Sequence, residues 1–212
     1  CPVGALTSKP YAFVARPWEL NKIETIDVMD ALGSNIRIDS RGGQVLRVLP
    51  RVNDEINEEW ISDKTRYAID GLRNQRLDVP YIRNQSGNLV PSTWEEAFEK
   101  IAKKLKKLNS NEFAAISGDL VDVETLFALK LLFKKLNCPN IDCRQDGAHL
   151  TPNNRPSYIF NSSIAGIDKT DAILIVGSNP KIESAVLNAR IRKNFLERKI
   201  PIALIGNKVA LN

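Results

Sequence analysis

The spacing of apolar residues changes character along the chain. Between Glu24 and Arg66, Ile36 and Ile38 alternate with Arg37 and Asp39, and Val45 to Leu49 forms a second apolar run that stops at Pro50. Period two marks a half-buried strand, and Arg41-Gly42-Gly43 supplies turn residues between the runs, so a small β-rich module with a central hairpin is predicted. From Arg66 to Pro91 the periodicity is lost and Asn, Gly and Pro accumulate, the composition of a linker or extended crossing segment.

From Thr93 the period becomes helical. Thr93 and Glu96 have capping-box spacing, and Trp94, Ala97, Phe98, Ile101, Leu105 and Leu108 share one face, which predicts a helix that buries its Trp and Phe in a core. Glu112 to Ser117 predicts a short buried strand. Asp122 is placed to cap the next helix, where Leu126 to Leu136 is apolar nearly all round with Lys130, Lys134 and Lys135 left for solvent; that helix is expected to lie buried between other elements. Asp171 to Val176 is an uninterrupted strand that runs into Gly177, followed by a helix from about Glu183 to Arg198 and a strand at Ile202 to Ile205. Strand, glycine turn, helix and strand make the right-handed crossover of a parallel sheet, so the fold class is α/β with a small β-rich domain in front.

Composition narrows the function classes. The 212 residues are 43% hydrophobic and 26% charged, ordinary values for a globular chain. The longest apolar run, Ala172 to Val176, is far short of the roughly 20 residues a spanning helix needs, so any membrane association must come through partners. The net charge of +5 is spread over the chain; Lys103-Lys104, Lys106-Lys107 and Arg190 to Lys193 are expected where helix faces meet solvent. No aromatic residues are interleaved with them, which argues against nucleic acid. The chain opens on Cys1 with nothing before Tyr11 resembling a targeting signal, and a doubly wound domain would normally continue past Asn212, so a segment of a longer protein is expected.

Candidate chemistry is sparse. Asp27, Asp30, Ser34 and Ser62, with Gly33 before the third, have the spacing of the four cysteines that hold a tetranuclear iron–sulfur cluster at the front of molybdopterin oxidoreductases, which the module therefore resembles. Two carboxylates and two hydroxyls are hard donors that would not retain a cubane. Cys1-Pro2 has the form of a last cluster ligand. Cys138 and Cys143 have the C-x4-C form of one binuclear ligand pair but lack two further thiolates, so they are expected as unbound thiols around a short strand. His149, the single histidine, has no acid or nucleophile pattern beside it and is expected in a polar loop. Gly177-Ser178-Asn179-Pro180 lacks the glycine spacing of a dinucleotide fingerprint or a P-loop.

CPVGALTSKPYAFVARPWEL, IDVMDALGSNIRIDSRGGQVLRVLPR and INEEWISDKTRYAIDGL together resemble the large iron–sulfur subunits of respiratory complex I, the proton-pumping NADH:quinone oxidoreductase, in the mitochondrial and α-proteobacterial branch that lacks the extra cluster. The resemblance implies a molybdopterin-oxidoreductase-like, formate dehydrogenase-like scaffold, truncated here. Residues 1–22 would be the tail of a [4Fe-4S] ferredoxin-like domain, 23–77 the β-rich domain without its cluster, and 78–212 the start of the α/β domain. It further implies that Cys1 is one ligand of a [4Fe-4S] cluster whose other ligands lie upstream, that no molybdopterin is carried, and that most of this stretch is scaffold for electron transfer from NADH to quinone. The implied partners are other peripheral-arm subunits, including the flavin-bearing NADH-binding subunit. The implied place is the matrix side of the mitochondrial inner membrane or the cytoplasmic face of a bacterial one. An active molybdenum or tungsten oxidoreductase is the alternative, and a nucleotide-binding module built on the strand–turn–helix a third.

Overall fold

The computed structural model describes residues 3–118, 120–143, 147 and 153–211. The described residues form two compact units, one joining the chain up to Asn74 with the chain from Ile159 onward, the other running from Gln75 to Tyr158.

In the first unit, β1 (Asn21–Ile26), β2 (Asn35–Arg41) and β3 (Gln44–Pro50) make an antiparallel sheet in that order. The predicted hairpin is β2–β3. Arg41 pairs with Gln44, and both central turn residues, Gly42 and Gly43, take positive φ, which glycine adopts without the Cβ clash that other residues meet. Simple alternation fails at one place. Asp39, expected on the polar side, is fully buried beside the β-bulge between Asp39 and Ser40, which breaks the period-two phase. After the sheet, Ser62 caps the short helix α1 (Asp63–Tyr67).

The same unit is completed by a parallel pair, β8 (Ile173–Val176) and β9 (Ile202–Ile205), as the crossover pattern predicts. Between them the expected helix forms as α5 (Ala185–Arg198), preceded by an additional short helix α4 (Pro180–Glu183) from which it is separated because Ser184 at φ −152° leaves the helical region. The expectation of a solvated Arg190 to Lys193 face holds for Arg192 and Lys193, which are exposed, and is corrected at Arg190. Val186, Arg190 and Asn194 form a buried i, i+4, i+8 stripe, with Arg190 only 5% exposed.

The second unit begins in the stretch expected as a linker, which instead carries a hairpin of β4 (Tyr81–Arg83) and β5 (Leu89–Pro91). Helix α2 (Trp94–Leu105) starts with the predicted capping box: Thr93 Oγ1 accepts the Glu96 N–H and the Glu96 carboxylate accepts the Thr93 N–H. Its aromatic face does not enter a core, since Trp94 and Phe98 are each 60% exposed and stack on one another at 5.5 Å. Helix α3 (Val123–Lys135) is capped by Asp122 as predicted but is not buried on all sides. It turns Phe133 inward, edge-on to Phe113, while Phe127, Leu131 and Leu132 stay exposed. The reason is geometric: β6 (Ala115–Ile116) and β7 (Ile141–Asp142) pair over only two residues each, too narrow a sheet to cover an all-apolar helix.

Candidate functional site

The residues standing at the cluster-ligand spacing occupy the loop between β1 and β2 and the cap of α1. The loop is closed by a backbone hydrogen bond from Asp27 to the Ser34 carbonyl at 2.8 Å. Within it, Asp27 Oδ1 accepts the Met29 N–H at 3.0 Å and Asp30 Oδ1 accepts the Leu32 N–H at 2.9 Å, the local bonding that short acidic side chains favour in turns. Gly33 takes φ +70°, where a side chain would be strained.

A hydroxyl relay ties this loop to α1. Thr65 Oγ1 donates to Asp27 Oδ2 at 2.6 Å, across 38 residues of sequence. Ser62 Oγ lies 2.8 Å from Thr65 Oγ1 and accepts the Thr65 N–H at 3.1 Å. Because Thr65 has one hydroxyl proton and gives it to the carboxylate, Ser62 must donate its own to Thr65. Three of the four positions are thus joined: Asp27 to Ser34 through backbone, and Asp27 to Ser62 through Thr65. Asp30 shares the loop but bonds only locally. Ser34 Oγ and Asp30 Oδ2 are buried and have no hydrogen-bond partner among the described residues. The donor set is oxygen throughout and does not fit a cubane, and among the described residues no three His, Cys, Asp or Glu side chains converge as a metal site.

Two buried polar groups that periodicity did not flag support the loop. Asn57 is fully buried; its Oδ1 accepts the Asn35 N–H at 2.9 Å, and its amide donates to the carbonyls of Arg51 and Trp60, both at 3.1 Å. Asp39 lies between Arg37, at 2.8 Å, and Arg47, at 2.7 Å. Burial alone would raise its carboxyl pKa; the hydrogen bonds and charges of the two arginines outweigh burial and hold it below the ordinary carboxylate range. Arg47 also sits 4.4 Å over the Tyr11 ring, pinning the segment that follows the chain start onto β3. A signal for Thr65 was available in its N-cap-to-N3 spacing from Ser62. Asn57, in a polar run, gave none.

Ser178 and Pro180 of the Gly177 to Pro180 turn line an open cavity of about 540 Å³ whose walls also include Leu32 of the loop, Ile167 and Ile175. Gly177, at φ +64°, donates to the Ile205 carbonyl at 2.8 Å. The amide side of the turn already faces an anion: Glu183 accepts from the Ser178 hydroxyl at 2.5 Å and from the Asn179 N–H at 3.2 Å. The Ser178 hydrogen bond, then that of Asn179, hold the Glu183 carboxyl below its usual range.

Of the cysteines, Cys138 is buried with its thiol 3.2 Å from the Phe113 carbonyl, Cys143 is exposed, and both are free thiols on either side of β7. Cys1 and His149 lie outside the described residues.

Comparison with known proteins gives two family matches. Residues 76–212 match the molybdopterin oxidoreductase model, and residues 20–70 match the model described as NADH-ubiquinone oxidoreductase NDSU1/NuoG-like, 4Fe-4S domain. Among curated relatives, the mitochondrial NADH-ubiquinone oxidoreductase 78 kDa subunit of Neurospora crassa is 54% identical over 212 residues, covering 97% of this chain and 28% of its own length. The mitochondrial NADH dehydrogenase [ubiquinone] iron-sulfur protein 1 of Solanum tuberosum is 48% identical, covering all of this chain and 29% of its own. A bacterial relative, an NADH-quinone oxidoreductase subunit of Rickettsia bellii, is 50% identical over 206 residues, covering 97% of this chain and 30% of its own. The chain therefore spans less than a third of the length of these relatives.

Proposed function

The chain belongs to the molybdopterin oxidoreductase family, in the branch of the large iron–sulfur subunits of NADH-ubiquinone oxidoreductase, and from that premise we propose that it serves electron transfer from NADH through iron–sulfur clusters to quinone. Its own part in that task is structural over most of its length. The carrying observation is the Ser62–Thr65–Asp27 relay, which crosslinks by hydrogen bonds the positions where metal–thiolate bonds would otherwise join loop and helix.

Cys1 would supply one thiolate to a [4Fe-4S] cluster whose other ligands lie outside this stretch, and such a cluster would supply one-electron transfer. The chain's described residues hold the segment that follows Cys1: Arg47 stacks on Tyr11, and Arg41 bonds Glu19 at 2.8 Å and the Val14 carbonyl at 3.2 Å. Residues 1–22 are then the end of a ferredoxin-like cluster domain, 23–77 a β-rich domain without a cluster, and 78–212 the start of a formate dehydrogenase-like α/β domain. The two family matches, meeting between residues 70 and 76, support the second boundary. The partners are other peripheral-arm subunits, the flavin-bearing NADH-binding subunit among them, on the matrix side of the mitochondrial inner membrane or the cytoplasmic face of a bacterial one. No molybdopterin is carried; Glu183 on the turn amide supports this, since a pterin dinucleotide phosphate would meet a carboxylate there.

The test is Cys1→Ser in the intact oxidoreductase, read by electron paramagnetic resonance and metal analysis. One [4Fe-4S] signal should be lost or altered, with the other clusters unchanged and no molybdenum or tungsten in the native enzyme. An unchanged set of cluster signals removes Cys1 from the ligand set, and stoichiometric molybdenum or tungsten restores the active-pterin alternative.

A further inference from the structure

The topology of the second unit concentrates positive charge at one end. Helix α2 leads into β6 and α3 into β7, and because β6 and β7 run parallel, both helices finish at the end of the sheet where the strands begin. The connecting loops are joined there. Asn140 donates to the carbonyls of Asn111 and Phe113, at 3.4 and 3.2 Å, and the Ala115 N–H donates to the Asn140 carbonyl at 3.0 Å. Around these loops stand Lys104, Lys106 and Lys107 from α2 and its cap and Lys134 and Lys135 from α3, all exposed. Lys103, one turn back, is engaged by Glu99 at 3.3 Å. The loops carry one described carboxylate, Glu112, which accepts the Asn109 N–H at 2.6 Å. Five lysines against one glutamate leave an excess of four charges in this one place, where the whole chain carries +5.

Lysines in a last helical turn favour the helix dipole, but that effect is confined to the turn itself, and Lys106 and Lys107 lie at and beyond the α2 cap. None of the five is paired with a carboxylate among the described residues.

We propose that this lysine-rich end of the second unit is a docking surface for an acidic patch on another protein subunit, steering and orienting it during assembly. The residue choice selects that partner. All five are lysine, a hydrated point charge suited to carboxylates at the rim of an interface, and no arginine forks are present for bidentate phosphate contacts. The exposed aromatic pair of α2, Trp94 and Phe98, sits at the opposite end of the helix from the lysines, and the exposed apolar side chains that border the patch are Leu131 and Leu132 of α3, which give a protein interface an apolar edge beside its charged rim.

The inference rests on the chain being a subunit of an assembled oxidoreductase. The experiment uses the purified intact complex: zero-length carbodiimide crosslinking of lysine to carboxylate, with acetylation rates of the same lysines measured before and after dissociation in urea. Expected are links from Lys104 to Lys107 or Lys134 to Lys135 to Asp or Glu of another subunit, and acetylation slowed by about tenfold or more in the complex. Unchanged acetylation, links confined to this chain, or protection that disappears when lipid or nucleic acid is stripped from the intact complex each overturn the docking surface. Absence of the chain from the purified complex overturns the functional reading beneath it instead, so the two failures are distinguishable.

Discussion

Replacing Arg190 by methionine tests how the first unit is held together, because one buried guanidinium there joins pieces far apart in sequence. Its Nη1 lies 2.5 Å from Asp168 Oδ2, and its Nη2 donates to the Asp54 carbonyl at 2.8 Å and lies 3.5 Å from Glu58 Oε1. Methionine fills much of the same space but donates nothing. The Asp54 carbonyl loses its donor, at a cost of about 1–3 kcal/mol, and one charge-assisted bond to Asp168 is lost, nominally about 1.5–3 kcal/mol. The second figure must be reduced, since the Asp168 side chain is 37% exposed and can rehydrate, and it keeps a 3.3 Å hydrogen bond from Asn194. The net expectation is a loss of about 2–4 kcal/mol, a large share of a total that is typically about 5–15 kcal/mol. Urea unfolding followed by fluorescence reads it directly, because Trp60 lines the same small cavity as Arg190. Arg190→Lys, which keeps the charge but reaches fewer partners, should fall between the two. A methionine variant within about 0.5 kcal/mol of the parent would refute the account, because that is the scatter of ordinary surface substitutions.

Two further outcomes follow from the buried polar groups. Thr65→Val removes the relay and leaves Asp27 Oδ2 buried without its donor, so stability in a urea titration should fall by about 1–3 kcal/mol and return with Thr65→Ser. The Asp39 carboxyl, held below its unfolded value, contributes stability that is complete above the unfolded pKa of about 3.9 and is lost as pH falls through the lower native value. Asp39→Asn should therefore be less stable than the parent at neutral pH, with the gap narrowing below about pH 4; a gap that stays constant with pH would mean Asp39 is not charged in the fold.

Where local chemistry decides the outcome, residue order alone was enough. The Gly42-Gly43 hairpin, the Thr93 and Asp122 caps and the β8–β9 crossover all depend on residues within a few positions of each other or on one unbroken period, and each forms as expected. The oxygen-for-sulfur substitution at Asp27, Asp30, Ser34 and Ser62 was equally legible, because donor softness is a property of the residue type. What the tertiary structure decided was the fate of groups whose partners are distant in sequence. Arg190 looked like a solvated helix charge until Asp168 and Asp54 closed around it, and Asp39 looked like the outer half of an alternation until a bulge turned it between two arginines. Burying a charge is costly unless specific partners meet it, and no local pattern states whether a residue 22 or 136 positions away will do so. The exposed faces of α2 and α3 teach the same lesson in reverse: periodicity says which side of a helix is apolar, while only the width of the sheet it lies on determines how much of that side is covered.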